Sequence, residues 1–433
     1  MQVKRVSAKD LLIFFIPLGI TSMLMMGSHS IISSALARTA DAAAALAAFS
    51  VAQSISMMFE SPCFALRRLF VSQIDDQDSF ATLLKVTGIT IAFVFAMQLT
   101  IAYSSIGRYI FLNLVGISED LLPNTLAAYR VFMLLPVASA IRSSYQGLII
   151  VSRKTHYLTM NILVRLATMI GLAALFASNT QLASGGAVGA IIMVSGMSME
   201  AFMAFVTGRR LRHKLPTMPE RGEKISLASS WIFFFPLIGA QFVQSFDRLF
   251  ISAGLARTVS AEVSIAAYQV AWSTAWIFAS VAFNIHQVVL VFVKDQESLR
   301  AVKKFAVSIG IAFSSLLFVL SVTPLGTYVL TNWIGTEAEI TRPTLQMLTF
   351  ISVIPFILSK SEIYAGILMR TKHTIQMTYA KVANLATLGF TVFIIGSLYP
   401  EAGGLLAAFS MIAGYLAEWA VLYYFGRKAR LEI

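Results

Sequence analysis

Arg142, Arg165, Lys360 and Lys381 each stand inside an apolar run about 20 residues long or longer, the length that crosses a bilayer as a helix. A cation held in hydrocarbon costs several kcal/mol, so it marks either a helix-locking pair or the path of an ion or substrate. The turn near 151–156 sets the depth of the first two. Arg142 lies about 9 residues before it and Arg165 about 9 after, roughly 13 Å in at 1.5 Å per residue. That is close to the middle of a core about 30 Å thick. The turn near 370–374 does the same for Lys360 and Lys381. Four cations at one depth, with Glu362 the only acid expected beside them, suit a small anion.

The remaining charges inside apolar runs are Glu60, Arg130, Glu200, Asp247, Arg248, Glu362 and Glu418. Arg142 and Arg165 can instead pair with Glu60 and lock helices. Lys360 and Glu362 are two residues apart and do not share a helix face. Each therefore needs a partner on another helix, and Lys381–Glu362 would make a lock or a gate. Asp247 can hold a coupling ion or make an interhelical bond, while its neighbour Arg248 points elsewhere. Glu200 and Glu418 sit near inner helix ends and read as structural. His29 and His286 titrate near neutrality, which makes them candidates for coupling or gating, although a hydrogen-bonded polar histidine is the plainer reading of both.

Other chemistry is not encoded. These residues are not at metal-ligand spacing. The single Cys63 excludes a disulfide framework and a CxxC site. There is no P-loop, HExxH or GxSxG. The stretch SGGAVGA (Ser184–Ala190) follows no strand, so its small residues serve helix packing. The expectation is a protein that is not an enzyme and uses no metal or cofactor.

The elements that carry these side chains follow from composition. Of 433 residues 57% are hydrophobic and 12% charged, with a mean hydropathy of +0.76. One soluble core cannot hide so much apolar surface. Twelve spans can be marked, near 11–35, 42–66, 80–104, 121–150, 157–178, 185–207, 228–252, 261–290, 304–325, 342–369, 375–398 and 402–425. The fold class expected is an all-α integral membrane protein with 12 transmembrane helices. The first run is too long for a signal peptide and reads as a retained span. Lys and Arg cluster at the N-terminus and in alternate connections, including Arg209, Arg210, Arg212, Lys214, Arg221 and Lys224. The opposite connections carry Arg38, Arg108, Arg257 and Arg342. The positive-inside rule then puts both termini in the cytoplasm, in an inner or plasma membrane. The net charge of +12 is mostly this bias, so no nucleic-acid partner is expected.

A repeat underlies the pattern. LARTADAAAALAAF (Leu36–Phe49) returns as LARTVSAEVSIAAY (Leu255–Tyr268), 219 residues later. In the same register IFFIPL (Ile13–Leu18) meets IFFFPL (Ile232–Leu237), DQDS (Asp76–Ser79) meets DQES (Asp295–Ser298), and Pro136, Tyr145 and Gly147 meet Pro355, Tyr364 and Gly366. One residue is lost late, so Gly196 and Glu200 meet Gly414 and Glu418. The chain is two copies of a six-helix unit, 1–207 and 228–433, joined by a cytoplasmic linker at 208–227. Six is even, so the copies run parallel and imply a pseudo-two-fold axis along the membrane normal. Two such bundles around a cleft are the architecture of a secondary transporter working by alternating access.

The chain resembles the MOP superfamily of MATE and polysaccharide-flippase transporters, and within it the progressive ankylosis (Ank) family. The resembling stretches are FIPLGIT (Phe15–Thr21), IAYSSIGRYI (Ile101–Ile110), FFPL (Phe234–Leu237) and LFISAGLA (Leu249–Ala256), within a diffuse likeness over 11–425. The resemblance implies export or exchange of a small organic or phosphate-rich anion such as citrate, ATP or pyrophosphate. The expected partners are that anion, the lipid bilayer and a coupling ion, H+ or Na+, and the expected state is a monomer. The alternatives are a flippase for an anionic lipid-linked saccharide and a cation-coupled multidrug exporter of MATE type. The first span reads MGSHSIISS (Met26–Ser34) without a carboxylate, whereas many cation-coupled MATE exporters carry an acid in that helix. Lipid II flippases of the superfamily carry two further helices.

Overall fold

Twelve helical spans follow one another in the computed structural model, which describes residues 7–36, 39, 41–115, 117–179, 185–218, 225–244, 246–255, 257–259, 261–334, 336 and 338–429. They are α1 (Ala8–Leu36), α2 (Ala42–Gln73), α3 (Gln77–Tyr103), α4 (Leu122–Val151), α5 (His156–Ser178) and α6 (Gly186–Arg212). The second set is α7 (Leu227–Gln244), continued by the short helix Asp247–Leu255, then α8 (Val263–Phe292), α9 (Gln296–Val322), α10 (Glu339–Arg370), α11 (Ile375–Leu398) and α12 (Gly404–Ala429). The described residues contain no strand. Among the described residues eleven helices are long and apolar enough to cross a membrane. The twelfth, α2, has 32 residues and carries Glu60, Arg67 and Arg68 in its second half. The protein is a multi-pass membrane protein.

The repeat is visible in the backbone. Asp76 and Asp295 cap α3 and α9 through the backbone N–H of Ser79 and Ser298, whose hydroxyls bond back in a capping box. The Ser298 bonds hold the Asp295 carboxyl below the usual carboxylate range. Arg153 (φ 56°) and Lys372 (φ 62°) take the left-handed conformation at the α4–α5 and α10–α11 turns. Gly185 (φ 61°, ψ −151°) and Gly403 (φ 52°, ψ −134°) take an extended positive-φ conformation that favours glycine before α6 and α12. Both α3–α4 and α9–α10 connections contain a π-helical turn, Ile110–Val115 and Val329–Ile334. Breaks at Met133–Leu134 and Ser352–Val353 precede Pro136 and Pro355, which occupy the first turn of the restarted helix. A proline there forfeits no intrahelical bond.

By packing, Leu24–Ile238 form one compact unit, and Met1–Met23 with Gly239–Ile433 form the other. The first half of α1 thus belongs with the C-terminal helices. Its Phe14 and Phe15 meet Phe292 and Phe305 edge-on at 5.2 and 5.3 Å. The first residues of α7 belong with the N-terminal helices. Inside the first unit α6 packs on α4 and α5, and α2 packs on α4. Inside the second, α12 packs on α10 and α11.

Candidate functional site

Close helix approach places the buried charges. Gly196 lies four residues before Glu200 on α6, and an added Cβ there would come within 2.5 Å of Met169 and 3.3 Å of Arg165, both on α5. Gly414 lies four residues before Glu418 on α12, and its Cβ would come within 2.8 Å of Asn384 on α11. A residue without a side chain at these points lets α5 and α11 approach closely enough for a carboxylate one helical turn on to meet a cation.

In the first unit Glu200 is fully buried. Its Oε2 accepts from Arg165 Nη1 at 3.2 Å, and its Oε1 from Arg142 Nη1 at 3.5 Å and Gln146 Nε2 at 2.8 Å. The Arg142 guanidinium also stands over the Phe64 ring, 5.8 Å from its centre. Arg142 and Arg165 are each 3% exposed. Among the described residues the Nε of each arginine, both amide atoms of Asn161 and Glu60 Oε2 have no hydrogen-bond partner. Asn161 precedes Arg165 by one helical turn on α5 and is itself buried. Glu60, on α2, accepts a hydrogen bond from Ser139 on α4.

In the second unit Glu418 Oε1 pairs with Lys381 Nζ at 2.7 Å, and Oε2 accepts from Asn384 Nδ2 at 2.7 Å. Asp247 lies near enough for the charges of Lys381 and Glu418 to act on it. Glu362 Oε2 meets His286 Nδ1 at 2.6 Å, with both residues buried. Lys360 is half-buried, its Nζ 4.6 Å from the centre of the Phe356 ring and 5.5 Å from that of Trp419. The side chains of His29 and Arg248 lie outside the described residues.

These contacts correct the pairings expected from sequence. Arg142 and Arg165 take Glu200 rather than Glu60. Lys381 takes Glu418, and Glu362 goes to His286. Glu362 is therefore not the only acid beside the four cations. The reason is lateral position. Depth along a helix is readable from numbering, but the helix that a side chain faces is set by packing. The expectation missed Gln146, Ser139, Asn161 and Asn384. One signal was present: Gly196/Glu200 and Gly414/Glu418 recur at the same four-residue spacing in both copies. Arg130 donates from Nε to the Ala102 carbonyl at 3.4 Å and stands over the Tyr103 ring, joining α4 to α3. Among the described residues no three His, Cys, Asp or Glu side chains converge to hold a metal ion.

Solved structures share the fold over nearly the whole chain. A MOP superfamily transporter from Pyrococcus furiosus, described as having a binding pocket of reverse polarity that suggests a different function, is 13% identical with a TM-score of 0.69, covering 98% of both chains. The MATE transporter VcmN of Vibrio cholerae in its bent form is 14% identical with a TM-score of 0.74, again covering 98% of both. A eukaryotic MATE transporter is 11% identical with a TM-score of 0.70 over 98% of both. No curated protein matches the chain significantly. The sequence profile of the progressive ankylosis protein (ANKH) family matches residues 3–207 and 223–424. Both copies of the repeat thus fall under one profile on a MOP-type fold, and the chain belongs to the progressive ankylosis protein family.

Proposed function

We propose that the protein is a secondary transporter that moves or exchanges a small organic or phosphate-rich anion, of the citrate, ATP or pyrophosphate class, by alternating access. The observation that carries this reading is the charge of the first unit's interior. Two guanidinium groups lie against the carboxylate of Glu200, with buried Glu60 near enough for their charges to act on it, and among the described residues the Nε donors of both have no partner. In a dry interior such donors attract an anion strongly. Arg142 and Arg165 are the primary substrate ligands in this proposal, with Lys360 and Lys381 contributing from the second half.

In the second unit the acids of this cluster outnumber its lysines. Glu362, Glu418 and Asp247 stand against Lys381 and Lys360, with His286 on Glu362. This supports assigning the coupling ion, H+ or Na+, to Asp247 and the His286–Glu362 pair. The multi-pass chain would sit with both termini in the cytoplasm, as the positive-inside rule requires.

The test is flux in proteoliposomes. Citrate, ATP and pyrophosphate uptake is measured beside uptake of a cationic dye. The variants are Arg142→Gln and Arg165→Gln, each of which leaves Glu200 one guanidinium partner. Loss of anion flux in protein that keeps its thermal stability is the expected result. Anion flux that survives both changes, with dye transport abolished by Asp247→Asn, would replace the proposal with a cation-coupled drug exporter.

A further inference from the structure

The second unit carries a cavity whose lining departs from the first half of the repeat. It measures about 290 Å³ and is lined by Lys303 of α9, Tyr364 of α10, and Tyr423 and Arg427 of α12. The α10 helix packs against both α9 and α12. Tyr364 meets Tyr423 edge-on at 5.2 Å, and Lys303 Nζ lies 5.2 Å from the Tyr364 ring centre. Among the described residues the lining holds two cations and two phenol groups and no acid.

The repeat supplies an internal control. Tyr145 corresponds to Tyr364 and Arg209 to Arg427, but Leu84 stands where Lys303 does and Phe205 where Tyr423 does. The ring pair itself is kept, Tyr145 against Phe205 at 5.1 Å with the same 85° angle. In the first half Phe80 also packs on Tyr145 at 5.7 Å, at the position that Leu299 occupies in the second. One scaffold therefore carries Leu84, Phe205 and Phe80 around the ring pair in one copy and Lys303, Tyr423 and Leu299 in the other. Packing alone does not require a lysine and a second hydroxyl there, since the first half folds without them.

We propose that this pocket binds the phosphate headgroup of an anionic phospholipid. Its size is at the small end of ligand pockets, enough for a headgroup. It opens at the end of the bundle where α9 starts and α12 finishes, among the exposed Arg300, Lys304 and Lys428. Basic pockets between transmembrane helices at that level bind acidic headgroups. Farther along α9, Ile311, Leu316, Phe318 and Val319 are exposed and give acyl chains an apolar surface. Exposed Tyr424, next to the pocket on α12, suits the aromatic belt of the membrane interface.

The test compares the full-length protein with a Lys303→Leu/Tyr423→Phe variant, which installs the residues found in the first half. Thermal unfolding in neutral detergent is followed with added phosphatidylglycerol, phosphatidylcholine or inorganic phosphate, and retained lipid is counted by native mass spectrometry. Phosphatidylglycerol should stabilise the native protein above phosphatidylcholine. The variant should keep its fold and need about fivefold more phosphatidylglycerol, the size of one Lys contact with an acidic surface. Equal phosphatidylglycerol binding by the two proteins would overturn the site. Stabilisation by inorganic phosphate equal to that by phosphatidylglycerol would overturn the lipid assignment in favour of a soluble phosphate. A variant that fails to fold would overturn the comparison between halves, because Leu84 and Phe205 show that those residues fit this scaffold.

Discussion

Glu200→Gln is the perturbation that most directly tests the buried cluster. The carboxylate touches Arg165 at 3.2 Å and Arg142 at 3.5 Å. With an effective dielectric constant near 20, unit charges about 4 Å apart attract by about 4 kcal/mol. The glutamine keeps the shape but strands two guanidinium groups in a dry site. Breaking a buried pair in this way costs about 3–5 kcal/mol. For a unit of this size, unfolding on its own, that is a fall in Tm of about 6–20 °C at roughly 2–4 °C per kcal/mol. Glu418→Gln strands one lysine instead of two arginines and should fall less. The assay is thermal unfolding in detergent, repeated with citrate and pyrophosphate. A bound anion at 1,000 times its Kd returns about 4 kcal/mol. If Arg142 and Arg165 hold the substrate, the anion replaces the lost carboxylate, and its Tm increment should be larger in Glu200→Gln than in the native protein. A Tm within about 1 °C of native would refute the buried ion-pair geometry. A large fall with the same anion increment in both proteins would refute the assignment of the two arginines to the substrate.

Three further outcomes are expected. Gly196→Val should drive a side chain into Met169 and Arg165 and destabilise by about 1–3 kcal/mol, as overpacking does; transport assays should show anion flux falling with it, and a variant with native Tm and flux would contradict the close approach of α5 and α6. Asp247→Asn and Glu362→Gln should leave anion movement down its own gradient while abolishing accumulation driven by an imposed H+ or Na+ gradient, measured in the same vesicles; undiminished accumulation in both would remove these acids from coupling. Cysteines at Thr217, in the linker, and at Glu119, exposed beside Arg108, should label from the cytoplasm and from outside respectively in intact cells. Native Cys63 is buried and gives little background, and reversed labelling would overturn the orientation.

Much of the architecture is legible in the sequence alone. Span number follows from hydropathy, because lipid demands about 20 apolar residues per crossing and a helix that satisfies its own backbone, whereas α2 runs on to Gln73 and α9 starts at Gln296, beyond the apolar runs at 42–66 and 304–325. The repeat is legible because identical turn chemistry recurs in register: DQDS and DQES both build a capping box, and the turns at Arg153 and Lys372 both take the left-handed conformation. Distance along a helix is legible too, since rise per residue is constant. Azimuth and partnership are not. Glu60, Glu200, Glu362 and Glu418 are equivalent in chemistry, and only the packing of α4, α5 and α6, or of α10, α11 and α12, decides which cation each acid meets. The same limit hides which unit the starts of α1 and α7 join, for IFFIPL and IFFFPL are almost the same string. It also hides the pocket between α9, α10 and α12, whose four residues lie up to 124 positions apart. Local sequence sets conformation and distance along a helix because those depend on neighbours along the chain. Ion partners and cavities depend on which helix faces are brought together, and only the tertiary structure decides that.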